Sequence, residues 1–202
     1  MINMLNLIIF LLCIFIWIYL LRMFHKLKMI AFEFFTGSIG LFLISIIFFR
    51  KPLEVLMSKI LFYFLNIITS ITGLFDSFSD VGTVLINTNN GIISMNLTYE
   101  CSGVIEILVF LSLALFFPFK NKLRGSLLTL SGFSALIISN ILRIVFIAGI
   151  SKYFGIYSYS ITHMIFARIF FFILTISIYY FVFTKTHLKE YTFGGVSVEH
   201  SN

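Results

Sequence analysis

The sequence predicts an all-α polytopic membrane protein: five transmembrane helices, one outer interfacial amphipathic helix and a small extracytoplasmic β-hairpin. Three observations carry that reading. Of 202 residues, 60% are hydrophobic, 27 are Phe and only 11% are charged, against roughly 25% charged in an ordinary soluble domain. A chain of this size has too little interior to hide so much apolar surface. Second, the apolar residues fall into runs, Met4–Leu21, Ile30–Phe49, Val104–Phe117, Leu127–Ile150 and Met164–Phe183, and a membrane span needs roughly 20 such residues. Third, the basic residues cluster between alternate runs. Arg22, Lys26 and Lys28 follow the first, Lys120, Lys122 and Arg124 follow the third, and Lys185 and Lys189 follow the last. Short basic loops stay in the cytoplasm, and all three agree if the N-terminus lies outside and the chain crosses five times.

The first run has no basic n-region and no small-residue cleavage site, so it reads as a retained span rather than a signal peptide. Cys13, midway along it, is assigned to packing. His25 and His187 lie in basic loops and read as solvated or interfacial. The segment Leu53–Phe75 differs, because Glu54, Ser58, Lys59, Asn66, Ser70 and Gly73 recur near helical spacing with Leu, Ile and Phe opposite. That is an amphipathic helix for the outer interface. Arg50 and Lys51 oppose this placement. The alternative is that the segment crosses, giving six spans, an inner N-terminus and an outward first basic loop, the costlier violation of the charge rule.

Residues 76–99 change character again. Two β-branched runs, Val81–Ile86 and Ile92–Leu97, flank a turn ending in Asn90-Gly91, a hairpin signal. The expected organisation is a single integral membrane domain, 1–183, with 76–99 as an extracytoplasmic insertion and 184–202 as a cytoplasmic tail. The net charge of +6 serves topology; no basic stripe interleaved with aromatics suggests nucleic acid. Neither cysteine has the spacing of a metal site, and no motif implies a cofactor.

The costly residues show where function lies. In the five-span arrangement Cys101 caps the outer end of one helix and His163 that of another. Arg143 precedes Ile150 by seven residues on a helix that exits outward, about 10 Å below the surface at 1.5 Å per residue. A lone Arg costs at least ~2.5–3.5 kcal/mol in a bilayer, so an ionisable residue there marks a functional site by default. Each also has a plain reading: Cys101 as a small apolar filler, His163 as an interfacial residue, Arg143 as a snorkelling side chain or a partner of Glu106. Glu106 and Arg168 read best as an ion pair locking helices, with Arg143 the other available partner for Glu106. Together, thiol, imidazole and guanidinium form a chemical set: nucleophile, proton carrier and oxyanion stabiliser. Gly103 would let a substrate backbone approach closely.

Three elements in order, Cys101-Ser102-Gly103 at a helix start, Asn140-x-x-Arg143-Ile144 in the next long span and His163 opening the last one, resemble the exosortase/archaeosortase family of polytopic membrane transpeptidases. The likeness covers roughly residues 50–175 and suggests a compact Gram-positive-type member. It departs from the family at Ala167, four residues after His163, where Gly is usual. It departs also at Glu106, where a small or neutral residue is usual.

The resemblance implies a membrane-embedded cysteine transpeptidase or protease of the cell membrane, active on the extracytoplasmic side. Its substrates would be secreted proteins carrying a C-terminal sorting signal. Cys101 would cleave near a short motif and hold the product as a thioester, with His163 as acid/base and Arg143 as electrostatic stabiliser. Ser102, Gly103, Asn140, Glu106 and Arg168 would support the site or bind substrate. An amine on a lipid or envelope glycan would take the product, and no metal or other cofactor is implied. The rival readings are a non-catalytic membrane assembly subunit and an envelope lipid or acyl transferase.

Overall fold

The computed structural model describes residues 4–78, 82–88, 91–97, 101–119 and 121–185. It is mostly helical, with one small three-stranded sheet. The helices are α1 (Met4–Lys26), α2 (Ile30–Phe48), α3 (Arg50–Thr72), α4 (Val104–Phe116), α5 (Lys122–Phe154), α6 (Ile156–Ile161) and α7 (Ala167–Tyr179), with π-helical turns at Thr162–Phe166 and Tyr180–Thr184. Among the described residues, four helices can cross a membrane by length and composition: α2, α3, α5 and the continuous helix Ile156–Thr184. α1 covers the first predicted span. α4 is shorter than the run that predicted it: its 13 residues reach about 20 Å, less than the ~30 Å hydrocarbon layer. It starts where the predicted run starts, at Val104 behind Gly103, and Pro118 follows its end.

The chain divides into two compact units. One comprises α1, α2 and Leu108–Pro118. Its hairpin turns at Lys28, whose φ of 55° is left-handed, and His25 Nδ1 meets Glu33 Oε1 at 3.1 Å across the turn. His25, expected to be solvated or interfacial, is 78% exposed and has this one partner among the described residues. Trp17 Nε1 donates to the Thr36 carbonyl at 2.9 Å, and the indole lies flush on Gly40, where a Cβ would collide with it. Cys13 is exposed on α1 rather than packed as expected.

The second unit holds 50–107 and the residues from 119 onward. Strands β1 (Asp76–Phe78), β2 (Thr83–Thr88) and β3 (Gly91–Asn96) form an antiparallel meander in sequence order. Val84 faces Met95 and Ile86 faces Ile93 across the β2–β3 pair, and all four are buried. Period-two alternation puts them on one face of the sheet. They pack with Leu61, Phe62 and Leu65 of α3 and Ile141, Ile144 and Ile147 of α5 in one apolar core. The expected hairpin is thus present as β2 and β3. The sequence reading missed β1, which is polar and short; it pairs Asp76 with Leu85 and Phe78 with Thr83, and the Ser77 hydroxyl bonds Asn66 Oδ1 of α3. The turn residues 89–90, the 98–100 link and the tail from 186 lie outside the described residues.

α3 runs three residues earlier than the predicted amphipathic segment and stops three residues sooner. Its buried face is Met57, Leu61, Phe62 and Leu65, while Val55, Tyr63, Phe64, Ile67 and Ile71 are exposed on its other sides. The helix is therefore apolar on more than one face, which is why it qualifies by length and composition to cross a bilayer. Asn121 caps α5, its Oδ1 accepting from the amides of Leu123 at 3.1 Å and Arg124 at 3.4 Å. At the other end Lys152 Nζ donates to the Gly73 carbonyl at 2.6 Å, so α3 and α5 finish side by side.

Gly40→Leu should force the indole of Trp17 out of the α1–α2 seam, an overpacking cost of about 1–3 kcal/mol. Thermal unfolding of the purified protein in detergent, followed by Trp17 fluorescence, should show a lowered midpoint and a red-shifted native spectrum.

Candidate active site

The site begins where the chain leaves the sheet. Cys101, Ser102 and Gly103 make a turn, all three buried, and α4 starts at once: the Gly103 carbonyl accepts from Ile107 N at 3.1 Å, so Gly103 is its N-cap. Its φ of 69° lies where a Cβ costs energy, and a Cβ there would stand 3.2 Å from the Asn140 amide. Glycine at this position meets both demands.

Asn140 fastens the turn to α5. Its Nδ2 donates to the Cys101 carbonyl at 3.1 Å, from a side chain that is 1% exposed. Its Oδ1 meets no partner. Three residues further along the same helix face, Arg143 is 6% exposed, its guanidinium carbon 5.0 Å from the ring centroid of Phe171 on α7. Phe171 lies eight residues inward of His163 on that helix, so Arg143 turns into the unit and does not snorkel outward.

The last helix supplies the imidazole. His163 sits in the π-helical turn Thr162–Phe166, where the Ala167 amide bonds the Thr162 carbonyl five residues back. Its Nε2 is 3.4 Å from Cys101 Sγ, within hydrogen-bonding range for sulfur. Tyr159, one turn earlier, stacks on the imidazole with centroids 5.5 Å apart at 28° and fixes the ring plane.

These groups open onto a cavity of about 670 Å³. Cys101, Ile105 and Glu106 form one wall, Arg143 a second, and His163, Arg168, Phe171 and Thr175 among others a third. The thiol and imidazole therefore meet directly, and the guanidinium shares their cavity. Ser102, Gly103 and Asn140 build the turn behind the sulfur. Glu106 and Arg168 line the cavity too, but the helix-locking ion pair expected of them is not formed, nor does Glu106 pair with Arg143: among the described residues the one ion pair is His25–Glu33. The anchor for α4 is instead Tyr179, whose hydroxyl donates to the Glu106 backbone carbonyl at 2.9 Å. No group of three or more His, Cys, Asp or Glu suited to a metal occurs among the described residues.

The sequence reading missed Tyr159, Phe171, Thr175 and Tyr179. Part of the signal was there, since Tyr159, His163, Ala167, Phe171, Thr175 and Tyr179 recur at every fourth position, and residues four apart are neighbours on a helix surface. Comparison with protein-family models, curated proteins and solved structures found no match.

Gly103→Ala should cost about 1–2 kcal/mol for the left-handed backbone alone and displace Asn140. The measurable result is a lower melting temperature together with faster maleimide labelling of the otherwise buried Cys101.

Proposed function

We propose that this protein is a membrane-embedded cysteine transpeptidase or peptidase of the exosortase/archaeosortase type. The observation that carries the reading is the 3.4 Å approach of Cys101 Sγ to His163 Nε2, between residues 62 positions apart. A packed thiol needs no imidazole, and a lone His at lipid depth is costly without a task. In this reading His163 takes the thiol proton and the sulfur attacks the carbonyl carbon of the scissile peptide bond. Arg143 supplies positive charge from the wall of the same cavity to the tetrahedral oxyanion. The intermediate collapses with loss of the C–N bond, and His163 returns the proton to the departing amine. The acyl group stays on Cys101 as a thioester until an amine takes it, or water in a peptidase. The nitrogen attacks, the C–S bond breaks, and a proton passes through His163 back to sulfur.

We place the cavity on the extracytoplasmic side of the cell membrane. The argument is the basic stretch Lys120–Arg124 at the start of α5, which belongs in the cytoplasm. α5 is 33 residues, about 50 Å, enough to carry its far end across. This assignment holds whether α3 lies in the outer interface, for five spans, or crosses, for six. The substrates we propose are secreted proteins that end in a short motif, an apolar helix and basic residues.

The test is a comparison of the envelope and secreted proteins in cells carrying the wild-type chain, Cys101→Ala, Cys101→Ser and His163→Ala. At least one secreted protein should keep its C-terminal apolar segment in all three variants, at normal levels of the membrane protein. Arg143→Lys, which keeps charge but loses the planar fork, should lower processing by roughly 10²-fold or more. Identical C-termini in wild type and both Cys101 variants would rule out the cysteine chemistry.

A further inference from the structure

The cavity holds two charges that the chemistry above does not use, Glu106 and Arg168. Glu106 is half-buried on its wall, and its carboxylate makes no hydrogen bond or ion pair with any described residue. Both cavity arginines have interactions of their own. Close by is a second unspent group. Thr175 is 9% exposed and lines the same cavity, and its Oγ1 has no hydrogen-bond partner.

The two belong to one end of the cavity. Tyr179, one turn beyond Thr175, reaches the Glu106 carbonyl with its hydroxyl, which brings this part of α7 alongside the first turn of α4. Cys101 and His163 mark the other end. Ile169 and Phe172 on its border are each more than half exposed, so the cavity opens along the side of α7.

We propose that Glu106 and Thr175 form a subsite for a basic side chain, a lysine-type ammonium, carried by the apolar helix of the polypeptide whose scissile bond lies at Cys101. The inference rests on the transpeptidase reading and adds a specificity element to it. A carboxylate at this depth is costly, and so is a lysine in a substrate's membrane helix. Pairing them on docking offsets both costs, and an ammonium has donors enough for the carboxylate and the threonine oxygen together. Glu106 lies five residues along from Cys101, beyond the Cys101–Gly103 turn and in the first turn of α4. The basic residue therefore sits beyond the cleaved bond, within the substrate's apolar helix.

The experiment uses the full-length protein in phosphatidylglycerol/phosphatidylcholine vesicles and synthetic Leu/Ala transmembrane peptides. The peptides carry Lys, norleucine or Glu at one position five residues inside the outer boundary, and binding is read by energy transfer. The Lys peptide should bind roughly 10- to 100-fold more tightly than the norleucine peptide, the range of a charge-assisted hydrogen bond, and the Glu peptide should bind weakest. Glu106→Gln should erase the Lys preference, Glu106→Asp should retain most of it, and Thr175→Val should reduce it roughly 2- to 10-fold. Equal binding of Lys and norleucine peptides by the wild type overturns the proposal, even should Glu106→Gln fail to insert. A Lys preference unchanged in Glu106→Gln overturns it as well. Repeating the series with phosphatidylethanolamine vesicles tests a lipid ammonium. If that headgroup occupies the site and the Lys preference is absent in its absence too, the polypeptide reading falls. Cys101→Ala should keep the full preference, since binding needs no chemistry. Loss of the preference with processing still dependent on Cys101 sinks this inference alone; processing that survives Cys101→Ala sinks the transpeptidase reading instead.

Discussion

One buried amide holds the site together. Asn140 donates to the Cys101 carbonyl at the point where the chain leaves the sheet and starts α4. Without it, that carbonyl would be left unsatisfied in the core, at a cost of about 1–3 kcal/mol. The bond also sets how closely α5 approaches the turn, and the space it leaves at Gly103 admits no side chain without displacement. Arg143 follows three residues later on the same face. A single helix face thus delivers both the clamp on the nucleophile's backbone and the cation in its cavity, which gives the Asn-x-x-Arg spacing a physical reason.

The surrounding packing explains why the clamp can be rigid. The sheet presents Val84, Ile86, Ile93 and Met95 to α3 and α5, and the same apolar core includes Cys101 and Ala167. The sulfur and the start of α7 are therefore part of the core and not appended to it. A lid or loop would hold a thiol loosely; here Cys101 and the two residues after it, Ser102 and Gly103, are all buried. Precision of this sort is what a nucleophile and its proton carrier need, because small misplacements are expensive in rate.

Much of this was legible in the sequence, for stated reasons. Apolar runs separated by basic clusters gave the helices, and Asn90-Gly91 between β-branched runs gave β2 and β3. Cys101, His163 and Arg143 stood out because each is costly or reactive at its depth, and the order of the spans put all three at similar depth on one side. Other features were not legible. β1 has no hydrophobic pattern, since it is stabilised by pairing with β2 and by the Ser77–Asn66 contact. Glu106 invited an ion pair because two arginines lie at accessible spacing, yet side-chain direction, not spacing, decides such contacts.

The π-helical turn at His163 resolves a problem of phase. Successive residues in an α-helix turn by about 100°, so each step of four overshoots a full turn by about 40°. From His163 to Thr175 three such steps would carry the side chain about 120° around the helix, away from any cavity His163 faces. Both nevertheless line the same cavity. The Ala167-to-Thr162 bond inserts one extra residue into that turn, and one residue is worth about 100°, nearly the whole drift. The wide turn, a form that recurs at functional sites, thereby brings the imidazole back into line with Ala167, Phe171 and Thr175. The buried Ala167 at its end leaves room for α5 to stay close. An every-fourth-residue stripe can therefore act as a single wall from the sulfur at one end to Glu106 at the other.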